Sequence, residues 1–393
     1  MPKPDLLHEF QSIFTSTETP RTFFAPGRIN LIGEHTDYNG GHVFPASISF
    51  GTYALAQTRD DQRLRFYSLN FPDIGIIECN LSDLSYKMAH DWANFPKGMV
   101  KYMSESGLNI ATGMDILFYG DIPNSAGLSS SASIEMVTGV LLEGLFNLTI
   151  DRVEMIQLGQ KVENYYIGVN SGIMDQFAIG KGKKNHAILL NCQTLAYHYA
   201  PIELAEHVIM IINTNKQRTL AGSKYNERRA QCEQALADLQ TELKIESLGD
   251  LTKKQFEQHK HLITDEINQK RAKHAVYENE RTIEALQKLQ QGQLNEFGRL
   301  MNESHKSLQY DYEVTGLELD TIVKAAWDQP GVIGARMTGA GFGGCAIAIV
   351  EKDKVDNFKV NVNISYTETI GYEASFYTAA IGDGAKEIIK GVV

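Results

Sequence analysis

Four ionisable side chains crowd together early in the chain. Arg28, Glu34, His35 and Asp37 lie in Ala25-Pro-Gly-Arg-Ile-Asn-Leu-Ile-Gly-Glu-His-Thr-Asp-Tyr-Asn-Gly-Gly41, between an apolar stretch and an Asn-Gly-Gly turn. A loop leaving a strand is a common place to display such groups. Carboxylates and an imidazole can pair with adjacent hydroxyls, which suits a polyol such as a sugar. The same residues also read as a turn with surface charges and one structural Arg, and the segment alone leaves both readings open. A metal site is disfavoured, because one His with carboxylates at i−1 and i+2 matches no established ligand spacing.

A second segment, Gly120-Asp-Ile-Pro-Asn-Ser-Ala-Gly-Leu-Ser-Ser-Ser-Ala-Ser133, sits between a predicted strand and a predicted helix. Small residues let backbone approach an anion, and Ser129 to Ser131 bring hydroxyls to a helix N-terminus, where free N–H groups and the helix dipole favour phosphate. An ordinary serine-capped loop is the alternative; Walker A is excluded, because no G-x-x-x-x-G-K-[ST] occurs. A third segment, Gly339-Ala-Gly-Phe-Gly-Gly344, matches G-x-G-x-x-G literally. The dinucleotide fingerprint needs a helix next, and a β-like Ala346–Val350 follows instead, so NAD binding is rejected. What remains is a glycine loop that packs over another loop or touches phosphate. In the fourth, Glu163 lies in a predicted helix and Asp175 in the uncharged Gly168-Val-Asn-Ser-Gly-Ile-Met-Asp-Gln-Phe177. Asp175 is a candidate for a partly buried carboxylate, with a helix N-cap as its alternative; for Glu163 the alternative is a solvated helix face.

The elements that must hold these groups alternate. Thr22 to about Ser133 reads as short β-like runs, among them Ile48–Ala56 and Met114–Tyr119, and helices are predicted over Ser129–Phe146 and Asp151–Gly168, the latter capped by Asp151. A strand-like Val208–Ile212 precedes a charged helical stretch from Lys216 to about Met301, and after Val332 the chain turns Gly-rich and β-like again. This predicts an α/β or α+β protein in two halves, 1–200 and 201–393.

Composition narrows the partners. Lys and Arg total 37 against 48 Asp and Glu, a net charge of −11 over 393 residues, which argues against nucleic acid or an anionic membrane surface. No apolar run approaches the ~20 residues of a membrane helix, and the N-terminal segment lacks the uncharged core of a secretory signal. Cys79, Cys192, Cys232 and Cys345 are scattered, with no C-x-x-C pair, so reduced thiols and a cytoplasmic protein are expected.

Together the segments resemble the GHMP small-molecule kinases, and within them the galactokinase family. Pro26–Asn39 is similar to the galactokinase signature, Pro123–Ala132 to the second GHMP motif, Thr338–Gly344 to the third, and Gly168–Gln176 to the galactokinase active-site segment. One departure is Ser125, where the second motif usually has Gly. The resemblance implies an α+β two-domain GHMP kinase fold, with an N-terminal domain like the second domain of ribosomal protein S5 and a C-terminal ferredoxin-like domain. It also implies transfer of phosphate from ATP to the C1 hydroxyl of D-galactose, with Mg²⁺, by a monomer. Asp175 would be the general base and Arg28 the group that stabilises the transferring phosphoryl. Glu34, His35, Thr36, Asp37, Gly172 and Tyr225 would line the sugar site. Ser131 and Glu163 would hold Mg²⁺, and Ser125, Ala126, Gly127, Leu128, Ser129, Ser130 and Ser131 would form the phosphate loop. Trp92 and Phe95 would wall the adenine, with core packing as their alternative, and Ser68 would touch the nucleotide. A sister kinase acting on N-acetylgalactosamine or arabinose is one rival. A non-catalytic galactose sensor is another, disfavoured because Gly127–Ala132 is intact.

Overall fold

A computed structural model describes residues 4–123, 127–216 and 221–389. The first part of the chain forms α1 (Leu6–Phe14), β1 (Arg21–Asn30), β2 (His42–Val43), β3 (Pro45–Thr58), β4 (Arg63–Ser68), β5 (Ile77–Asn80), α2 (Asn94–Glu105), β6 (Met114–Gly120), α3 (Ser130–Leu145), α4 (Arg152–Lys161), α5 (Met174–Lys181), β7 (His186–Asn191) and β8 (Tyr197–Pro201). Next come β9 (His207–Asn213), α6 (Ala221–Leu239), α7 (Lys253–His259), α8 (Glu266–Gln290), α9 (Leu294–Ser307), α10 (Gly316–Trp327), β10 (Val332–Thr338), β11 (Cys345–Glu351), α11 (Val355–Ile370), β12 (Ser375–Ala379) and β13 (Lys386–Glu387).

Among the described residues these strands form three sheets, in the orders β13-β1-β3-β6-β4-β5, β10-β11-β9-β12 and β2-β7-β8. Alternation in β3 and β6 decides which layer covers which face of the first sheet. Ala54, Ala56, Ile116 and Phe118 join the core with Met99, Val137 and Leu141 of α2 and α3, while Leu55 and Leu117 face Phe10 and Phe14 of α1. The apolar run in β9 has no polar alternate because both faces are covered. Met210 and Ile212 join the core with Ala235 of α6 and Ile322 of α10, while Ile209 and Ile211 meet Ile29 and Phe44 of the first part and Phe297 of α9. This third core joins the two halves, and β13 pairs with β1 through Phe23 and Glu387.

Two predicted β regions hold helices. Within Thr22–Ser133, α2 buries Met99, Val100 and Met103, and after Val332, α11 buries Phe358, Val362 and Tyr366 at i, i+4 and i+8. The β-branched and Asn residues of α11 cost up to about 0.7 kcal/mol each in a helix. Each large buried side chain contributes about 1.5–3 kcal/mol, so burial of the apolar stripe outweighs the local preference. Asp151 caps α4, accepting from the N–H groups of Val153 (2.8 Å) and Glu154 (3.3 Å). The helix predicted to run to Gly168 instead turns π-helical over Val162–Ile167, a distortion frequent at functional sites. Among the described residues, no helix is long and apolar enough to cross a membrane.

Candidate active site

Arg28 stands just after a bulge in β1, where the register with β3 shifts between Pro26 and Arg28, and a bulge re-aims the side chain beside it. Its backbone N–H donates to Leu128 O at 3.1 Å, seating β1 against the serine loop. A Cβ on Gly27 would lie 2.7 Å from that same oxygen, so only glycine permits the approach. The Arg28 guanidinium forks onto Asp175, with Nε to Oδ1 at 2.9 Å and Nη2 to Oδ2 at 3.1 Å, and Nη1 donates to Gly127 O at 2.8 Å. Burial opposes this charge, but Asp175, Glu34 and Asp37 together hold the Arg28 pKa above its ordinary value.

Asp175 lies in the first turn of α5, and the Ser129 hydroxyl donates to its Oδ2 at 2.5 Å. Ser129 precedes α3 in the left-handed region (φ 64°) and caps no N–H with its side chain. Among the described residues no side chain caps the first N–H groups of α3, and a helix end of that kind favours an anion.

The signature loop is braced from the C-terminal half. Glu34 is almost wholly buried; its Oε1 accepts from Gly339 N–H (2.7 Å) and Arg336 (3.3 Å), and its Oε2 from Asn30 Nδ2 (2.9 Å). Burial pushes its pKa up against the pull of Arg336 and Arg28. Asp37 is pushed up to about 7 by burial and by Asp175 and Glu34, despite backbone hydrogen bonds from Tyr38 and Met174. A Cβ on Gly172 would fall 1.9 Å from Asp37 Oδ2, which is why the active-site segment needs glycine there. The glycine loop between β10 and β11 carries positive φ at Gly339, Gly341, Phe342, Gly343 and Gly344. It packs onto the serine loop, since a Cβ on Gly339 would sit 2.9 Å from Gly127 O.

These elements enclose three adjoining cavities. One of about 260 Å³ is lined by Arg28, Glu34, His35, Asp37, Gly172, Asp175 and Tyr225, smaller than the ~300–1,000 Å³ of drug-sized pockets and suited to a monosaccharide. A second of about 280 Å³ is lined by Ser68, Trp92, Phe95, Phe71, Phe118 and Ile134, an aromatic slot shaped for a base. A third of about 240 Å³, beside Gly127, Leu128, Ser129 and Ser130, shares Arg28 and Asp175 with the first and Ile122 and Ser130 with the second. Ser131 borders all three, and its hydroxyl donates to Glu163 Oε1 at 2.7 Å. Glu163 is buried, which raises its pKa.

The structure thus gathers most of the expected residues but not all. Thr36 lines none of these three cavities; its hydroxyl lies between His42 O (2.6 Å) and Gly33 O (2.9 Å), and its one proton bridging them makes it a brace within the loop. Ser125 and Ala126 lie outside the described residues. Sequence reasoning missed Arg336, Glu278, His274, Tyr38 and Tyr312, which hold the signature loop from 200 or more residues away or from within it; no local spacing signals them. Replacing Gly172 by Ala is expected to raise the KM of the sugar about thirtyfold, or about 2 kcal/mol, because Asp37 must leave its place. Steady-state kinetics over a range of sugar concentrations checks this.

Comparison with known proteins agrees with this geometry. Residues 8–58 match the galactokinase galactose-binding signature, 94–183 the GHMP kinases N terminal domain and 283–368 the GHMP kinases C terminal domain. The chain is 58% identical over 386 residues to a galactokinase of Ligilactobacillus salivarius, covering 98% of this chain and 100% of that one. It is 60% identical over 384 residues to one of Exiguobacterium sibiricum, covering 98% of each. The fold superposes on a crystal structure of Lactococcus lactis galactokinase complexed with galactose, with a TM-score of 0.96, 53% identity and coverage of 98% of this chain and 99% of that chain. A Methanococcus jannaschii mevalonate kinase shares the fold alone, at TM-score 0.65 and 19% identity over 94% of this chain and 100% of that one.

Proposed function

The chain belongs to the galactokinase family of the GHMP kinases, and from that premise we propose how its site phosphorylates galactose: the terminal phosphoryl of ATP passes to the C1 hydroxyl of D-galactose, giving α-D-galactose 1-phosphate and ADP. The observation that carries this reading is the run of three cavities with the Arg28–Asp175 fork at the junction of two of them. In it, the sugar fills the cavity of Glu34, Asp37, Gly172 and Tyr225, the adenine enters between Trp92 and Phe95, and the phosphates cross the N-terminus of α3.

Each group has a role that its position permits. Asp175 faces the sugar cavity and accepts the hydroxyl proton as the bond to phosphorus forms. Arg28 holds that carboxylate and places positive charge where the transferring oxygens gain negative charge. The N–H groups of Ser130, Ser131 and Ala132 in the first turn of α3 meet the phosphates. Ser131 and Glu163 fit a Mg²⁺ site: a hydroxyl and a carboxylate oxygen stand 2.7 Å apart beside the phosphate path. Mg²⁺ takes one or two protein oxygens and completes its shell with phosphate and water. When bound, Mg²⁺ neutralises phosphate charge. This local positive field explains how a chain of net charge −11 takes a polyphosphate.

The same reading takes the protein to be a cytoplasmic monomer of two domains, 1–200 and 201–393; the four cysteines, which form no disulfide with one another, suit a reducing compartment. An ADP-release assay over a sugar panel tests the function. Turnover is expected with galactose well above N-acetylgalactosamine and arabinose, and no turnover with galactose, or preference for another sugar, overturns it.

A further inference from the structure

His35 is held on both sides of its ring. Nδ1 lies 2.8 Å from the Tyr38 hydroxyl, and Nε2 lies 3.2 Å from Ala340 O. The chain of contacts continues away from the cavity: Tyr38 Oη is 2.7 Å from Tyr312 Oη, which is 3.2 Å from Cys232 Sγ on α6. A carbonyl only accepts, so Nε2 carries the hydrogen, and in the neutral ring Nδ1 must accept. Every direction then follows: Cys232 S–H donates to Tyr312, Tyr312 to Tyr38, and Tyr38 to Nδ1. The neutral ring is favoured by its surroundings. Burial, with His274 of α8, Arg228 of α6 and Arg336 of β10 packed around it, holds its pKa down at about 3. The Tyr312 ring is layered between His35 (centroids 4.8 Å apart) and His274 (4.5 Å), and His274 Nε2 donates to Glu34 O at 3.0 Å.

Building on the proposed galactose site, we propose that Tyr38 and Tyr312 are positioning residues for sugar recognition, and that their one-way hydrogen-bond chain commits both nitrogens of His35, so that the imidazole walls the cavity and pairs with no sugar hydroxyl. This departs from the reading in which the imidazole joins the carboxylates in pairing with sugar hydroxyls, and it leaves the polar readout to Asp37, Glu34 and Tyr225. It also ties the signature loop to α6, which carries Tyr225 into the cavity.

Long-range ¹H–¹⁵N correlation of histidine in the full-length protein tests this. His35 is expected as the Nε2–H tautomer from pH 6 to 8, with both ring nitrogen shifts unmoved by saturating galactose. In Tyr38→Phe, Nδ1 loses its donor and shifts towards the free acceptor value, and the KM of galactose rises about tenfold, as for one lost buried hydrogen bond, with kcat within about twofold. Tyr312→Phe should raise KM in the same sense while leaving the Tyr38 donor in place. A tautomer change or a shift of either ring nitrogen on binding galactose overturns the proposal, as does an unchanged KM in both variants. A protein that neither binds nor phosphorylates galactose instead sinks the parent reading, and the proposal falls with it.

Discussion

Asp175→Asn is expected to lower kcat with galactose about 10³- to 10⁴-fold, the upper range for loss of a general base, while galactose still binds within a few-fold of its original Kd. The asparagine still accepts from Arg28 Nε through Oδ1, the contact now made at 2.9 Å, while its Nδ2, in the place of Oδ2, donates to the Ser129 hydroxyl oxygen that now donates to Asp175 at 2.5 Å. It keeps the shape of the α5 N-terminus as well. What it cannot do is take a proton as the hydroxyl attacks. The sugar cavity is otherwise untouched, because Glu34, Asp37 and Tyr225 hold their places by contacts of their own. Rapid-quench kinetics beside calorimetric binding separates the two quantities. Undiminished turnover would remove Asp175 from the base role.

The second large effect is at Arg28. Arg28→Met should reduce kcat about 10³-fold or more, the scale on which a transition-state arginine acts in phosphoryl transfer, and Arg28→Lys should recover only part of that. Lysine restores the charge but not the fork, which here spans both Asp175 oxygens and the Gly127 carbonyl at once. The loss should fall on kcat more than on the KM of ATP, since the α3 N-terminus and the aromatic slot still hold the nucleotide. Steady-state kinetics in both substrates reads this. A lysine variant with full activity would show that charge alone suffices.

Much of the site was legible because its parts are contiguous in sequence. The signature loop, the serine loop, the Asp175 segment and the glycine loop each occupy a short stretch, and the fold brings them to one place. Two readings that composition left open were decided by burial and pairing. Glu163 is buried against Ser131 rather than solvated, and Asp175 is both a first-turn acid and the partner of Arg28. What was not legible acts at long range. Arg336 reaches Glu34 across 302 positions, Gly33 N–H donates to Glu278 across 245, and Tyr312 meets Tyr38 across 274, so no spacing rule could pair them. Thr36 failed for a different reason: its type suits sugar binding, but its hydroxyl closes the loop on itself. The helix α11 was hidden by β-branched residues whose preference the core overrides.

The central claim is that phosphate reaches C1 of galactose. ³¹P and ¹³C NMR of the product formed from ATP and [1-¹³C]galactose reads it directly. The phosphorus is expected to couple to the labelled carbon, in the α configuration. Phosphorus coupled to another carbon, or ATP hydrolysed with the sugar unmodified, would contradict the account.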